Sequence, residues 1–295
     1  MGIGNCHKVM DFRQVAKRRL PAPVFHYIDG GADDEWTLRR NTDAFDDYEL
    51  LPAHLSDVSS IEMASTMFGK PVDWPVMISP TGASRLFHAD GEPAVARAAD
   101  KFGMPYSLST VGTTTIEDIG AIGEVPKVFQ IYVFRDRGIT RSFVERCKAS
   151  GYTALCLTVD TPVAGNRERD NYYGMMATAK PALRSVPSML RHPGWLYRAV
   201  IRKDMELVNV KSDLNEQKFT DMSVKDFIDS QFDRSLTWRD VEWLAQEWGG
   251  PLIIKGVQTT HDCRNAADAG ATAVMLSNHG GRQLEGAPAP VDCIA

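Results

Sequence analysis

Residues 75–83 read Pro75-Val76-Met77-Ile78-Ser79-Pro80-Thr81-Gly82-Ala83. An apolar run enters a polar turn, and the turn decides between two folds. A doubly wound dinucleotide-binding sheet needs Gly-x-Gly-x-x-Gly directly after its first strand, so that the backbone can approach a pyrophosphate. Pro80-Thr81-Gly82-Ala83 is not that turn, and Gly2-Ile3-Gly4 has no strand ahead of it and reads as a loose terminus. Five more short apolar runs follow: Pro105–Thr110, Lys127–Val133, Ala154–Asp160, Pro251–Gly256 and Ala273–Asn278. Most are rich in Val, Ile and Leu, as strands buried on both faces are. Amphipathic stretches separate them. Glu92–Gly103 ends on a C-cap glycine. Arg137–Gly151 spaces Ile139, Phe143, Val144 and Cys147 helically, Thr237–Trp248 opens on an N-cap threonine, and His261–Gly270 is a shorter version. Strand–helix repetition implies a parallel sheet with right-handed crossovers. Without the dinucleotide turn, it predicts an α/β fold of the TIM (β/α)8 barrel type, with about six of the eight units in this chain.

Two stretches fall outside the rhythm. Residues 1–74 form an N-terminal segment that reads as helical over Asp11–Arg19 and Pro21–Phe45. Residues 161–236 are a long insertion after the fourth strand, and an insertion of that length is usually functional or disordered. Residues 1–295 together read as a single incomplete barrel domain. The length of 295 residues suits one large α/β barrel.

The formal net charge of -5 supplies no basic field for nucleic acid. The five cysteines are odd in number and include no Cys-x-x-Cys, so a reducing compartment is expected. Met1–Met10 lacks the apolar core of a secretory signal, and no apolar run approaches the roughly 18 residues that span a bilayer. A cytoplasmic location is expected. Within the insertion, Ser188–Lys203 interleaves Leu190, Trp195, Leu196, Tyr197, Val200 and Ile201 with Arg191, Arg198, Arg202 and Lys203. That pattern predicts an interfacial helix on an anionic leaflet, placing the protein peripherally on the inner face of the cytoplasmic membrane. The plainer alternative is a barrel-side helix with a solvated basic face.

In a parallel barrel, reactive groups sit at the carboxyl ends of strands. Here those ends carry Gln130 and Tyr132, Thr158 and Asp160, Lys255, and Ser277 through Arg282. Each alone is a hydrogen-bonded rim residue; together they are costly unless used. A histidine near an aspartate suits a base with an orienting carboxylate. Arg282 and Arg167 suit a bound carboxylate, and Lys255 a developing anion. The set fits removal of a proton or hydride from a small carboxylate, and a cofactor must supply the oxidant. The seven histidines form no His-x-x-x-His or His-Glu-x-x-His pair, and Gly-x-Ser-x-Gly is absent, so neither a zinc site nor a serine hydrolase is expected.

At these residues the sequence resembles the FMN-dependent 2-hydroxy-acid dehydrogenases and oxidases, a family that includes L-lactate dehydrogenase, glycolate oxidase and mandelate dehydrogenase. The strongest match is Ser277–Glu285, SNHGGRQLE, beside the family's Ser-Asn-His-Gly-x-Arg-Gln-Leu-Asp. Others are Tyr27–Asn41, Ser79–Gly82, Leu108–Thr110, Gln130–Val133, Leu157–Pro162, Arg167–Asp170 and Ile254–Gly256. The resemblance implies that His279 is the base at the substrate C2 centre and that Asp160 stabilises its imidazolium. It implies Tyr27, Arg167 and Arg282 as substrate-binding, with Tyr132 contacting the substrate oxygen. Pro80, Thr81, Gly82, Ser109, Gln130, Thr158 and Ser277 would cradle FMN, and Lys255 would face the flavin N1/O2 edge. The implied reaction oxidises an L-2-hydroxy acid, L-lactate first among candidates, to the 2-oxo acid. Electrons pass to quinone or another acceptor, or to O2 in an H2O2-forming oxidase; the C2 hydrogen leaves as hydride or after carbanion formation. A homo-oligomer is implied for the full-length protein.

Three departures from the family pattern stand out. Ile28 replaces a second tyrosine, Glu285 replaces the usual aspartate, and the sequence stops at Ala295, before the family's last two strands and the phosphate site that follows them. On that reading residues 1–295 alone bind FMN weakly or not at all, as a fragment or an inactive remnant.

Overall fold

The computed structural model describes residues 2–174, 182–202, 205–212 and 232–294. The chain opens with helices α1 (Val9–Arg19), α2 (Ala22–Asp29) and α3 (Trp36–Asp43) and an antiparallel hairpin of β1 (Ser65–Met67) and β2 (Lys70–Val72). The predicted runs then become strands, each followed by a helix or a loop. They are β3 (Ile78–Thr81), α4 (Gly91–Lys101), β4 (Tyr106–Ser109), α5 (Ile116–Gly120), β5 (Lys127–Ile131), α6 (Arg137–Ala149) and β6 (Ala154–Thr158). After β6 come α7 (Glu168–Tyr173), α8 (Trp238–Trp248), β7 (Leu252–Val257), α9 (Thr260–Asp268) and β8 (Ala273–Leu276). The sheet order is β3-β4-β5-β6-β7-β8, and every neighbouring pair is parallel. Among the described residues this is a partial (β/α) barrel of six parallel strands.

The two faces of the sheet divide the labour. Leu108, Phe129, Ile131, Leu155, Leu157, Leu252 and Ile254 point outward into a core shared with Ala96, Ala99, Phe143, Val144, Leu244 and Ala266 of the helices. Each large side chain buried there contributes about 1.5–3 kcal/mol. The inner face is apolar at the bottom, where Val128, Ala154, Cys156 and Ile253 meet Met67 and Phe68 of the hairpin. Higher up, the same face turns polar. Gln130 pairs in register with Ser109 and with Cys156, and Thr158 with Lys255, so these side chains share the inner face. Local signals end the helices, and Thr237 caps α8 as predicted. Asp136 caps α6 by accepting from Gly138 N, Thr237 and Asp240 form a capping box on α8, and Gly249 ends α8 in the left-handed region.

The N-terminal segment differs from its helical reading. The stretch Pro21–Phe45 breaks between α2 and α3, where Glu35 adopts a left-handed φ of 62°. Helix ends at Asp47, an extended strap follows, and the hairpin closes the inner face. Ser188–Lys203 does not form one amphipathic helix. Within its described residues it is three pieces: the end of Val186–Leu190, Pro193–Leu196 and a π-helical turn over Tyr197–Arg202. Pro193 starts a new helix because it cannot continue the previous one. Trp195 turns inward onto Leu20, Val24 and Phe25, and its indole N–H donates to Leu86 O at 2.8 Å. Leu190, Tyr197, Val200 and Ile201 remain exposed, and Lys203 lies outside the described residues. Among the described residues no helix is long and apolar enough to cross a membrane.

Candidate active site

The loop after β8 delivers the histidine. His279 has a left-handed φ of 59°, held because Ser277 Oγ accepts its backbone N–H at 3.0 Å. Ser277 is thus engaged in shaping the loop. Asn278, a motif member, exchanges a pair of amide hydrogen bonds with Asn41 at 2.9 and 2.6 Å and fastens the loop to α3. Gly281, at φ 70°, lies where a Cβ would fall 2.4 Å from Leu38 N, so only glycine lets the loop pass α3. Glu285 receives the N–H groups of Trp36 and Thr37 at 2.7 and 3.2 Å. Glu285, at the position of the family's aspartate, thereby caps α3 from outside the helix.

Asp160, just past β6, meets the loop from the other side. Its Oδ1 lies 2.7 Å from His279 Nδ1, and its Oδ2 lies 3.5 Å from Lys255 Nζ on β7. Oδ2 is buried without an aligned hydrogen bond, so the lysine contact is an ion pair only. Gly256 makes this approach possible: its φ is 109°, and a Cβ there would stand 2.6 Å from Asp160 Cβ. The carboxylate assigns the imidazole tautomer, with a proton on Nδ1 and the lone pair on Nε2. Tyr132 lies close enough that the negative field of Asp160, after burial itself, pushes its phenol well above the ordinary value.

Two guanidiniums stand over the ring of Tyr27, Arg282 at 5.1 Å and Arg167 at 5.6 Å from its centroid. Arg282 Nη1 donates to Tyr27 O and Gly30 O at 2.7 and 2.6 Å, which fixes the guanidinium at the end of α2. Burial, then repulsion from Arg167, lowers the Arg282 pKa. Such a concentration of positive charge is chemically suited to a carboxylate. Sequence reasoning gave no role to Asp170, which the structure buries at 4% exposure with Oδ2 2.9 Å from Arg167 Nε. Burial raises its pKa against the pull of Arg167 and Arg282. Its signal was present in the Arg-x-x-Asp spacing on one helical turn.

A polar row runs along the inner face from β4 to β7. Ser109 Oγ donates to Gln130 Oε1 at 2.8 Å, while Gln130 Nε2 and Thr158 Oγ1 are buried with no hydrogen-bond partner among the described residues. Buried donors of this kind await an acceptor, because leaving one unmet costs about 1–3 kcal/mol. At the end of β3, Gly82 packs against Val111, where a Cβ would come within 2.5 Å of Cγ2, and Pro80 and Thr81 flank it. A planar ring with polar edges fits this cradle, so the residues present suit FMN. Of the residues singled out in the sequence, His279, Asp160 and Lys255 form one contact cluster, and Tyr27, Arg167 and Arg282 a second. Ser109, Gln130 and Thr158 line the face between the strands that carry them. Among the described residues no group of histidine, cysteine and acidic side chains is placed to hold a metal.

The chain is similar to known proteins over nearly its whole length. The L-lactate dehydrogenase of Vibrio parahaemolyticus is 39% identical over 280 residues, covering 94% of this chain and 73% of that protein. The L-lactate dehydrogenase of Acinetobacter baylyi is 39% identical over 280 residues, covering 94% and 72%. Among solved structures, the monotopic membrane protein (S)-mandelate dehydrogenase superposes with a TM-score of 0.89 at 34% identity, over 98% of this chain and 76% of that one. A lactate oxidase of Pediococcus acidilactici gives a TM-score of 0.81 at 30% identity, over 98% and 71%. The family profile of FMN-dependent dehydrogenases matches residues 16–295, and the chain belongs to that family.

Proposed function

We propose that the chain oxidises an L-2-hydroxy acid, L-lactate foremost, with His279 as the base and Arg282, Arg167 and Tyr27 as the carboxylate clamp. The observation that carries the reading is the 2.7 Å contact of His279 Nδ1 with Asp160, which leaves Nε2 as the free base. The substrate carboxylate binds the paired guanidiniums and places its C2 carbon by the imidazole. His279 Nε2 takes a proton there, and the fixed negative charge of Asp160 stabilises the imidazolium that results. Tyr132 keeps its phenolic proton and donates to the substrate oxygen. Gln130, Thr158, Ser109, Ser277, Lys255 and the backbone of Pro80–Gly82 would hold FMN, which when bound would supply the two-electron oxidant. Lys255 would set a positive charge against the bound ring. The choice of L-lactate is supported by the names of the relatives.

Turnover with FMN supplied in excess, so that weak binding does not limit it, tests this directly. L-Lactate supports steady oxidation, and with substrate saturating, a quinone reoxidises the enzyme faster than O2 does. Faster reaction with O2, with stoichiometric H2O2, assigns an oxidase instead; no turnover with any 2-hydroxy acid rejects the proposal.

The acceptor and the membrane belong to the same proposal. Quinone resides in lipid, and Leu190, Tyr197, Val200 and Ile201 are exposed beside Arg191. This patch contacts the lipid surface on the cytoplasmic side through residues 188–203. Replacing Leu190, Val200 and Ile201 by glutamate abolishes sedimentation with anionic vesicles; unchanged sedimentation counts against the contact. Self-association into a homo-oligomer is supported by the exposed strap residues Leu50, Leu51 and Leu55, and light scattering decides it.

A further inference from the structure

Glu92, at the start of α4, has no solvent exposure and touches none of the reactive groups. Taking a carboxylate out of water is costly unless donors surround it. Four do. Oε1 accepts the backbone N–H of Ser84 at 3.1 Å and of Thr113 at 2.8 Å. Oε2 accepts the hydroxyls of Thr113 at 2.5 Å and Thr114 at 3.0 Å. Ser84 opens the short helix Ser84–Phe87 at the end of the loop after β3, and Thr113 and Thr114 belong to the loop after β4.

Those two loops carry half of the ring cradle. The same junction holds Ala83 N–H to Val111 O at 2.8 Å and Arg85 N–H to Thr113 Oγ1 at 3.3 Å. Ala83 is left-handed at φ 55°, a conformation that a non-glycine residue keeps only under outside restraint. Onward from Val111, its N–H reaches Ser109 Oγ at 3.3 Å, which bonds Gln130. A continuous path therefore runs from the buried carboxylate to the Thr81–Ala83 backbone on one side and to Ser109 and Gln130 on the other.

We infer that Glu92 is a positioning residue of the flavin cradle: by clamping the loops after β3 and β4 together, it sets the spacing between the Thr81–Ala83 backbone and Ser109 that the ring occupies. The inference rests on the flavin reading of that cradle. Glutamine at the position keeps the shape but must present an N–H to a ring of donors, so the clamp opens.

The test uses the whole chain, freed of flavin and titrated with FMN and with lumiflavin, which lacks the phosphate, while flavin fluorescence and apoprotein melting temperature are recorded. Glu92→Gln weakens binding of both flavins by about tenfold or more. A control, Ala96→Gly, lies on the same helix in the outer core and away from both loops; it lowers the melting temperature and leaves flavin affinity within about twofold. Glu92→Gln also speeds hydrogen exchange at the Ser84 and Thr113 amides before any flavin is added. Flavin binding by Glu92→Gln equal to that of the unsubstituted chain overturns the inference and leaves the cradle reading standing. So does an equal loss of affinity in Ala96→Gly, which makes Glu92 a brace of the fold at large. No binding of either flavin by the unsubstituted chain overturns the cradle reading and this inference with it.

Discussion

The charge of Asp160 is shared between an imidazole and an ammonium, and Glu92 shows the same economy in a different place. Burial opposes ionisation of Glu92, and hydrogen bonds from Thr113 and Ser84 overcome it, so its carboxyl lies below the ordinary 4.5. An acid whose folded pKa is depressed contributes stability above its unfolded pKa and loses it as pH falls through the folded pKa. The gap in melting temperature between the unsubstituted chain and Glu92→Gln is therefore full at neutral pH and closes as pH drops below about 4.5 toward the folded value. A gap that stays constant to low pH contradicts the buried charge. Nothing in the sequence marks Glu92, because a glutamate in the first turn of a helix is ordinarily solvated beside the helix dipole. His279, Asp160 and Arg282 were legible because strand ends in a parallel barrel converge whatever lies between them in sequence.

Elements were legible where burial is simple. The six short apolar runs became the six strands of the described sheet: β4, β5, β6 and β7 are buried along almost their whole length, while the edge strands β3 and β8 are only partly buried. The hairpin Ser65–Val72 escaped notice: its strands are three residues long, one contains Pro71, and its turn is Phe68-Gly69, with φ of 49° and 78°, in place of Asn-Gly. Ser188–Lys203 misled because its apolar residues fit a helical period, while His192-Pro193-Gly194 splits the helix and turns Trp195 inward. At β7, the Ile-Lys-Gly end joins strand geometry to chemistry. Gly256→Ala forces a side chain into a φ of 109° and against Asp160. The expected cost is on the order of 1–3 kcal/mol in stability, with a fall in turnover larger than stability explains. Calorimetry and lactate kinetics on one preparation check both; unchanged turnover contradicts the need for close approach.

At the scale of the molecule, the outer face of the sheet supplies stability and the inner face, polar toward the carboxyl ends of its strands, supplies function. That division draws His279, the guanidiniums of Arg167 and Arg282 over Tyr27, and a row of donors ending in the unmet Gln130 and Thr158 from six separate stretches of chain. The central claim is that His279 acts at the C2 centre of a hydroxy acid held beside bound FMN. Anaerobic mixing of the flavin-loaded chain with L-lactate, followed by visible absorbance, tests it most directly. The account predicts that the flavin bleaches in the unsubstituted chain, and that His279→Gln retains the flavin but bleaches about 10²- to 10⁴-fold more slowly. Bleaching at the same rate in both would contradict it.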